Sequence, residues 1–138
     1  MAITTAITNS YKQEILEGVH SSTDTYEIAL YTDSATLSAA TTAYSSTNEV
    51  ADGNGYTTGG KTLTGFSSGI ASNKAYITFA DPEWTSATIT ARGCLIYNSS
   101  KSNKAVAAFD FGSNVSSTNG TFTIDLPAAG ASALIRIS

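Results

Sequence analysis

Residues 84–112 decide the fold: Trp84-Thr85-Ser86-Ala87-Thr88-Ile89-Thr90-Ala91-Arg92-Gly93-Cys94-Leu95-Ile96-Tyr97-Asn98, the polar break Ser99-Ser100-Lys101-Ser102-Asn103-Lys104, then Ala105-Val106-Ala107-Ala108-Phe109-Asp110-Phe111-Gly112. Thr88 to Ala91 alternate between polar and apolar, whereas Cys94 to Tyr97 form a short apolar run. This is the pattern of a strand covered on one face at its start and more fully buried at its end. Gly93 interrupts it, and a glycine inside a strand marks a bulge or a close backbone approach. The polar break supplies a turn, and Phe109 and Phe111 alternate with Asp110 on the return. The stretch therefore predicts a long antiparallel hairpin with one strongly apolar face.

Working outward, composition favours β structure. Only 13% of the 138 residues are charged, against 41% hydrophobic; the usual charged share is about a quarter. Ser and Thr fill the difference, Thr favouring strands and Ser favouring turns. Seven Tyr, five Phe and one Trp with a net charge of -4 argue against disorder. The length suits a single domain over residues 1–138, large enough to bury a core without staples. A pI near 4.7 and scattered Lys and Arg residues argue against a phosphate-binding surface, so no nucleic acid is expected as partner. A single cysteine excludes an internal disulfide. The N-terminal residues lack the basic and apolar regions of a signal peptide, and no apolar run is long enough to cross a bilayer. Synthesis and folding in a reducing cytoplasm, with no membrane partner, are the expectation.

In chain order, Ile3, Ile7, Tyr11 and Ile15 recur every four residues, which predicts a helix of about 12 residues within 4–17. Ser10 with Gln13 offers an alternative capping box, which would start the helix late and leave residues 1–9 as an extended arm. Gly18 suits the position just past the helix end. Residues 1–19 are thus read as a helix or arm, and 25–138 as the β domain. Residues 25–32 alternate as a strand with Tyr26, Ile28 and Leu30 on one face. Residues 33–60 are too long for an ordinary connection and predict a folded excursion carrying Tyr44 and Tyr56. Further strands are expected at 61–66, 74–80, 121–126 and 133–137, with Asp81-Pro82 as a stop and Asn119-Gly120 as a turn. The expected fold is all-β: an antiparallel β-sandwich or jelly-roll-like barrel of about seven or eight strands with one N-terminal helix or arm.

Chemistry-bearing patterns are few. Residues 55–62 satisfy the phosphate-loop pattern G-x-x-x-x-G-K-[ST]. That chemistry needs a buried strand before the glycines and a helix after them, and both flanks here are wrong, so nucleotide binding is rejected. His20 stands alone, without the further ligands a metal needs. Cys94 reads as a small core residue. Asp81 and Glu83 read as a solvated turn before Trp84. No catalytic, cofactor-binding or metal-binding residue is expected, and the chain is read as non-enzymatic.

Residues 1–20, 28–37, 41–50, 55–64, 80–100 and 133–138 together resemble a family of small virion structural proteins of tailed bacteriophages. Trp84 with Ala91-Arg92-Gly93 and Leu95-Ile96-Tyr97-Asn98 are the most specific blocks. The resemblance implies a virion component without catalytic residues, and in size and β character such proteins are similar to capsid cement (decoration) proteins. It implies attachment to the major capsid protein shell on the capsid exterior, as a homodimer or homotrimer made in the host cytoplasm. A tail, fibre or adhesin component that binds host glycan or other tail proteins is the alternative. Ile3, Ile7 and Tyr11 in the N-terminal segment, with Tyr44 and Tyr56 in the excursion, are the residues expected to contact partners.

Overall fold

A computed structural model describes residues 2–127 and 130–137. Met1, the start of the expected arm, and Ser138, the end of the expected domain, lie outside it. The described residues form β1 (Ala6–Ile7), α1 (Asn9–Leu16), β2 (Tyr26–Tyr31), β3 (Lys61–Thr62), β4 (Ser67–Ala71), β5 (Lys74–Thr78), β6 (Glu83–Asn98), β7 (Lys104–Thr123) and β8 (Ile135–Ile137). The strands make two antiparallel sheets, a five-stranded one in the order β1-β7-β6-β2-β3 and a three-stranded one in the order β4-β5-β8. The fold is all-β, with sheets that are open at their edges.

The β6–β7 ladder is the hairpin expected from residues 84–112. A short 3-10 turn, Ser99–Lys101, closes it, with the Asn98 side chain accepting from the Ser100 amide at 3.0 Å. Register slips between Ala91 and Gly93. A Cβ at Gly93 would lie 2.5 Å from the Phe109 carbonyl oxygen and 2.8 Å from Ile3 Cδ1, so only glycine fits where the arm crosses.

Two cores flank the five-stranded sheet. Tyr26, Ile28, Leu30, Ile96 and Val106 pack between the sheets against Phe79 and Ile135. On the other face Ala29, Tyr31, Leu95, Tyr97 and Ala105 are covered by Ile3 of the arm and by Ala35 and Leu37 of the excursion. Each buried aliphatic side chain contributes about 1.5–3 kcal/mol. The excursion is therefore folded, as its length suggests, and acts as a lid over half of the sheet.

Four sequence expectations need correction. The favoured long helix is replaced by a helix of 8 residues capped by Thr8, not Ser10. Thr8 Oγ1 accepts from the Tyr11 amide at 3.2 Å and reaches back to the Ala105 and Val106 carbonyls. Residues before it are extended: Ile3 bridges Leu37, and β1 pairs with Ala107 and Ala108. A spacing of four fits a strand period of two as well as a helix, and a Thr- and Ile-rich run prefers the strand. The Asn119-Gly120 turn does not form, and β7 runs through it. Asn119 has φ 47° while Gly120 is not left-handed, and the register step from Ala87↔Gly120 to Ile89↔Ser117 makes the pair a bulge. Accordingly, Ile124 and Leu126 are buried but lie beyond the strand. The expected strand at 61–66 shrinks to β3. A hairpin not foreseen, β4–β5, turns instead through Ser72 and Asn73, both with positive φ.

Candidate docking surface

The five residues expected to meet partners do not gather on the surface. Ile3, Tyr11 and Tyr56 are buried within the chain itself, and Ile7 and Tyr44 are half-buried. Tyr44 and Tyr56 tie down the excursion: their hydroxyls donate to the two oxygens of Glu49 at 2.6 and 2.5 Å, and the Gly59 amide adds a third bond at 2.7 Å. Tyr56 also accepts from the Leu30 amide of β2 at 2.9 Å. Tyr97 donates to the Gly59 carbonyl at 2.6 Å and stacks on Tyr44 with centroids 4.6 Å apart. Burial pushes the Tyr97 phenol up to about 12, with the Glu27 and Glu49 charges adding to it. Burial likewise raises Tyr31, Tyr44 and Tyr56.

The phosphate-loop-like stretch leads from the excursion into the edge of the sheet, with Tyr56 in the core between the sheets and β3 paired alongside β2. Gly59 and Gly60 turn with φ of 96° and 84°, and a Cβ on Gly60 would sit 1.7 Å from the Ile28 carbonyl oxygen. The glycines let the backbone close on the edge of β2, and the chain continues as strand β3, not as a helix whose amides converge on an anion. Lys61 reaches the Glu83 carbonyl and lies 5.5 Å from the Trp84 ring centroid.

His20 is not alone, although spacing gave no sign of its partners. Its Nε2 donates to Glu14 Oε1 at 2.9 Å, and its Nδ1 accepts from Asn98 Nδ2 at 2.9 Å. That same amide donates to Asp24 Oδ2 at 2.8 Å, while Lys101 pairs with Asp24 and Lys104 with Glu14. The Asn98 bond, the Ser21 amide and Lys101 hold the Asp24 carboxyl below the usual carboxylate range against its desolvation. Both ring nitrogens are engaged, so the cluster knits α1 to the hairpin turn. Cys94 is fully buried, and burial pushes its thiol up, away from reactivity. Among the described residues no group of three or more His, Cys, Asp or Glu side chains is placed to hold a metal, and no helix is long and apolar enough to cross a membrane.

The feature that sequence reasoning missed lies between α1 and the three-stranded sheet. A groove of about 500 Å³ is lined by Tyr11, Ile15 and Tyr26 on one side and by Ile70, Ile77 and Ile137 on the other. A second, of about 720 Å³, adjoins it through Ile15, Arg136 and Ile137, and reaches Ile7, Leu16 and Phe109. Leu16 is 88% exposed, Ile70 81% and Ile137 48%, three of the four exposed large hydrophobic residues among those described. The sequence signal was weak because Ile70 and Ile137 sit in short strands whose neighbours are Ser, Gly and Arg. Comparison of the chain with protein-family models, curated proteins and solved structures finds no match.

Proposed function

We propose that the chain is a non-enzymatic structural component of a tailed-bacteriophage particle, a cement protein that docks on the major capsid protein shell and stabilises it. The observation that carries the docking part is the gathering of Leu16, Ile70 and Ile137 along one groove system. Scattered exposed apolar residues need no explanation, but contiguous ones mark interaction surfaces. The virion part rests on the sequence resemblance described above. A cement protein requires shape, a rigid frame and a sticky face, and repetition over many identical subunits turns modest contacts into avidity. The two-sided core supplies the frame, and the groove supplies the face.

Counting copies on purified particles tests the reading. A copy number matching the capsid lattice supports cement, and a low number matching a tail's rotational symmetry assigns the chain to tail, fibre or adhesin. Absence from particles refutes the proposal. Deleting residues 1–19 is a poor test, because Ile3 and Tyr11 belong to the chain's own cores. Leu16→Asp is the better one: it should abolish attachment and leave the fold intact.

A further inference from the structure

We infer that the chain self-associates as a two-fold dimer through the open edge of β7 at residues 115–122, each copy adding a strand to the other's larger sheet. The inference goes beyond the docking reading: it concerns a different surface and does not depend on what the paired copies attach to.

The edge is open because the chain's own cover stops short of it. On the side of β7 away from β6, Thr42 and Tyr44 bond to Ala105 and Asn103, and Ala6 and Ile7 pair with Ala108 and Ala107. Thr5 Oγ1 then accepts from the Asp110 amide at 2.9 Å. Along residues 115–122 the only backbone partner among the described residues is β6. Val115, Ser116, Thr118, Asn119 and Thr121 are exposed there. Natural edges are blunted by charge, by proline or by brevity. The other outermost strands, β1, β3, β4 and β8, are 2, 2, 5 and 3 residues long. On β7 neither a charged residue nor a proline occurs between Asp110 and Asp125. Unpaired amides and carbonyls along such an edge call for an extended backbone, not for a small ligand.

The bulge at Asn119 selects the occupant. Val115, Ser117, Gly120 and Phe122 lie opposite Ala91, Ile89, Ala87 and Trp84, which are buried, so all four face the core side of the ladder. The core side therefore falls on odd-numbered residues before the bulge and on even-numbered ones after it. A regular strand laid along this edge would keep its own alternation and match only one half. A second copy, running antiparallel, carries the same switch and matches both halves. With the two-fold axis between Thr118 and Asn119, Val115 meets the second copy's Phe122, Ser117 its Gly120 and Ser116 its Thr121. Core side meets core side at each of these pairs, and Val115, 41% exposed, gains an aromatic neighbour. No charge opposes a like charge along them, although the chain carries a net charge of -4.

Sedimentation of the full chain from about 1 to 100 µM tests the inference, and a monomer–dimer equilibrium is the expected result. Ser116 and Thr121 are exposed and face each other twice across the axis, so charge placed there reads the register. Ser116→Lys/Thr121→Lys sets like charges opposite each other and should weaken the dimer about tenfold or more, with circular dichroism still that of the folded chain. Ser116→Lys/Thr121→Glu sets opposite charges in the same two pairs and should restore the dimer. A monomer throughout that range, a trimer, or a dimer indifferent to the first variant overturns the inference. The last of these would place the contact on another face, such as the groove beside α1. Failure of the second variant to restore the dimer overturns it too. These outcomes are independent of the copy count on particles, so the dimer and the virion reading can fail separately.

Discussion

The two halves of the β6–β7 ladder are made of the same two strands and solve different problems. From Cys94 to Asn98, against Lys104 to Ala108, the ladder is buried on both faces, one by the smaller sheet and α1, the other by the arm and excursion. From Trp84 to Ala91 only one face is covered, and Thr85, Ser86, Thr88 and Thr90 stay exposed. There the outer surface is a hydroxyl lattice: Thr90 Oγ1 lies 2.9 Å from Ser116 Oγ, and Thr88 Oγ1 accepts from the Asn119 amide at 3.0 Å. The joint between the halves holds Gly93 and the Arg92–Asp110 pair at 2.9 Å. The Asp110 carboxyl is held below its usual range by the Gly112 amide and then by Arg92. A continuous apolar run and an alternating stretch in one strand thus report two covering layers and one.

Alkaline pH should separate the halves most strongly. Burial raises Tyr26 to about 12 and Tyr97 to about 12, and shifts Tyr11, Tyr31, Tyr44 and Tyr56 upward too. A phenol whose folded value lies above its unfolded one, about 10, stabilises fully below the unfolded value. That stability is lost as pH rises toward the folded value, each group removing up to about 1.4 kcal/mol per pH unit. Six such phenols serve the tyrosine-rich covered end and its attachments, and the expected outcome is steep unfolding above pH ~10. Tyrosinate absorbance should rise in step with loss of circular dichroism; gradual ionisation of an intact fold would contradict this.

Leu95→Ala comes next. It removes a fully buried side chain from the outer core and should cost about 4 kcal/mol in urea unfolding. A cost under about 1 kcal/mol would mean that the excursion contributes little to stability. Gly93→Ala should cost about 2–3 kcal/mol, since its Cβ meets the Phe109 carbonyl and Ile3. Hydrogen exchange should then quicken in residues 2–7 before it does in β2. Smallest is Thr90→Ala on the uncovered face, expected to move stability by no more than about 0.5 kcal/mol. A larger loss would show that the hydroxyl lattice is a third structural layer.

Much of this was legible because local pattern and burial coincide. Residues 84–112 announced their hairpin, the change in cover along it and the tight spot at Gly93. Tyr26, Ile28 and Leu30 announced one face of β2. The N-terminal segment was read as a longer helix because Ile3, Ile7, Tyr11 and Ile15 satisfy two periods at once, and only pairing with β7 and Leu37 resolves which one holds up to Thr8. The candidate surface was harder. Tyr44 and Tyr56 sit in a polar stretch, and nothing local says that Glu49 and the Leu30 amide will engage them. Ile70 and Ile137 lie in short segments of little character, and become a row only when β5 aligns them.

The sequence by itself determined the β class, the central hairpin and the absence of a phosphate loop's flanks, because those are matters of periodicity and neighbouring residue type. Which apolar side chains end inside and which remain at the surface was decided only by tertiary structure. Exposure depends on what lands opposite a side chain, and here the covering segments are far away along the chain: Ile3 over Leu95, Tyr56 over Leu30 and, among the described residues, nothing that buries Ile70.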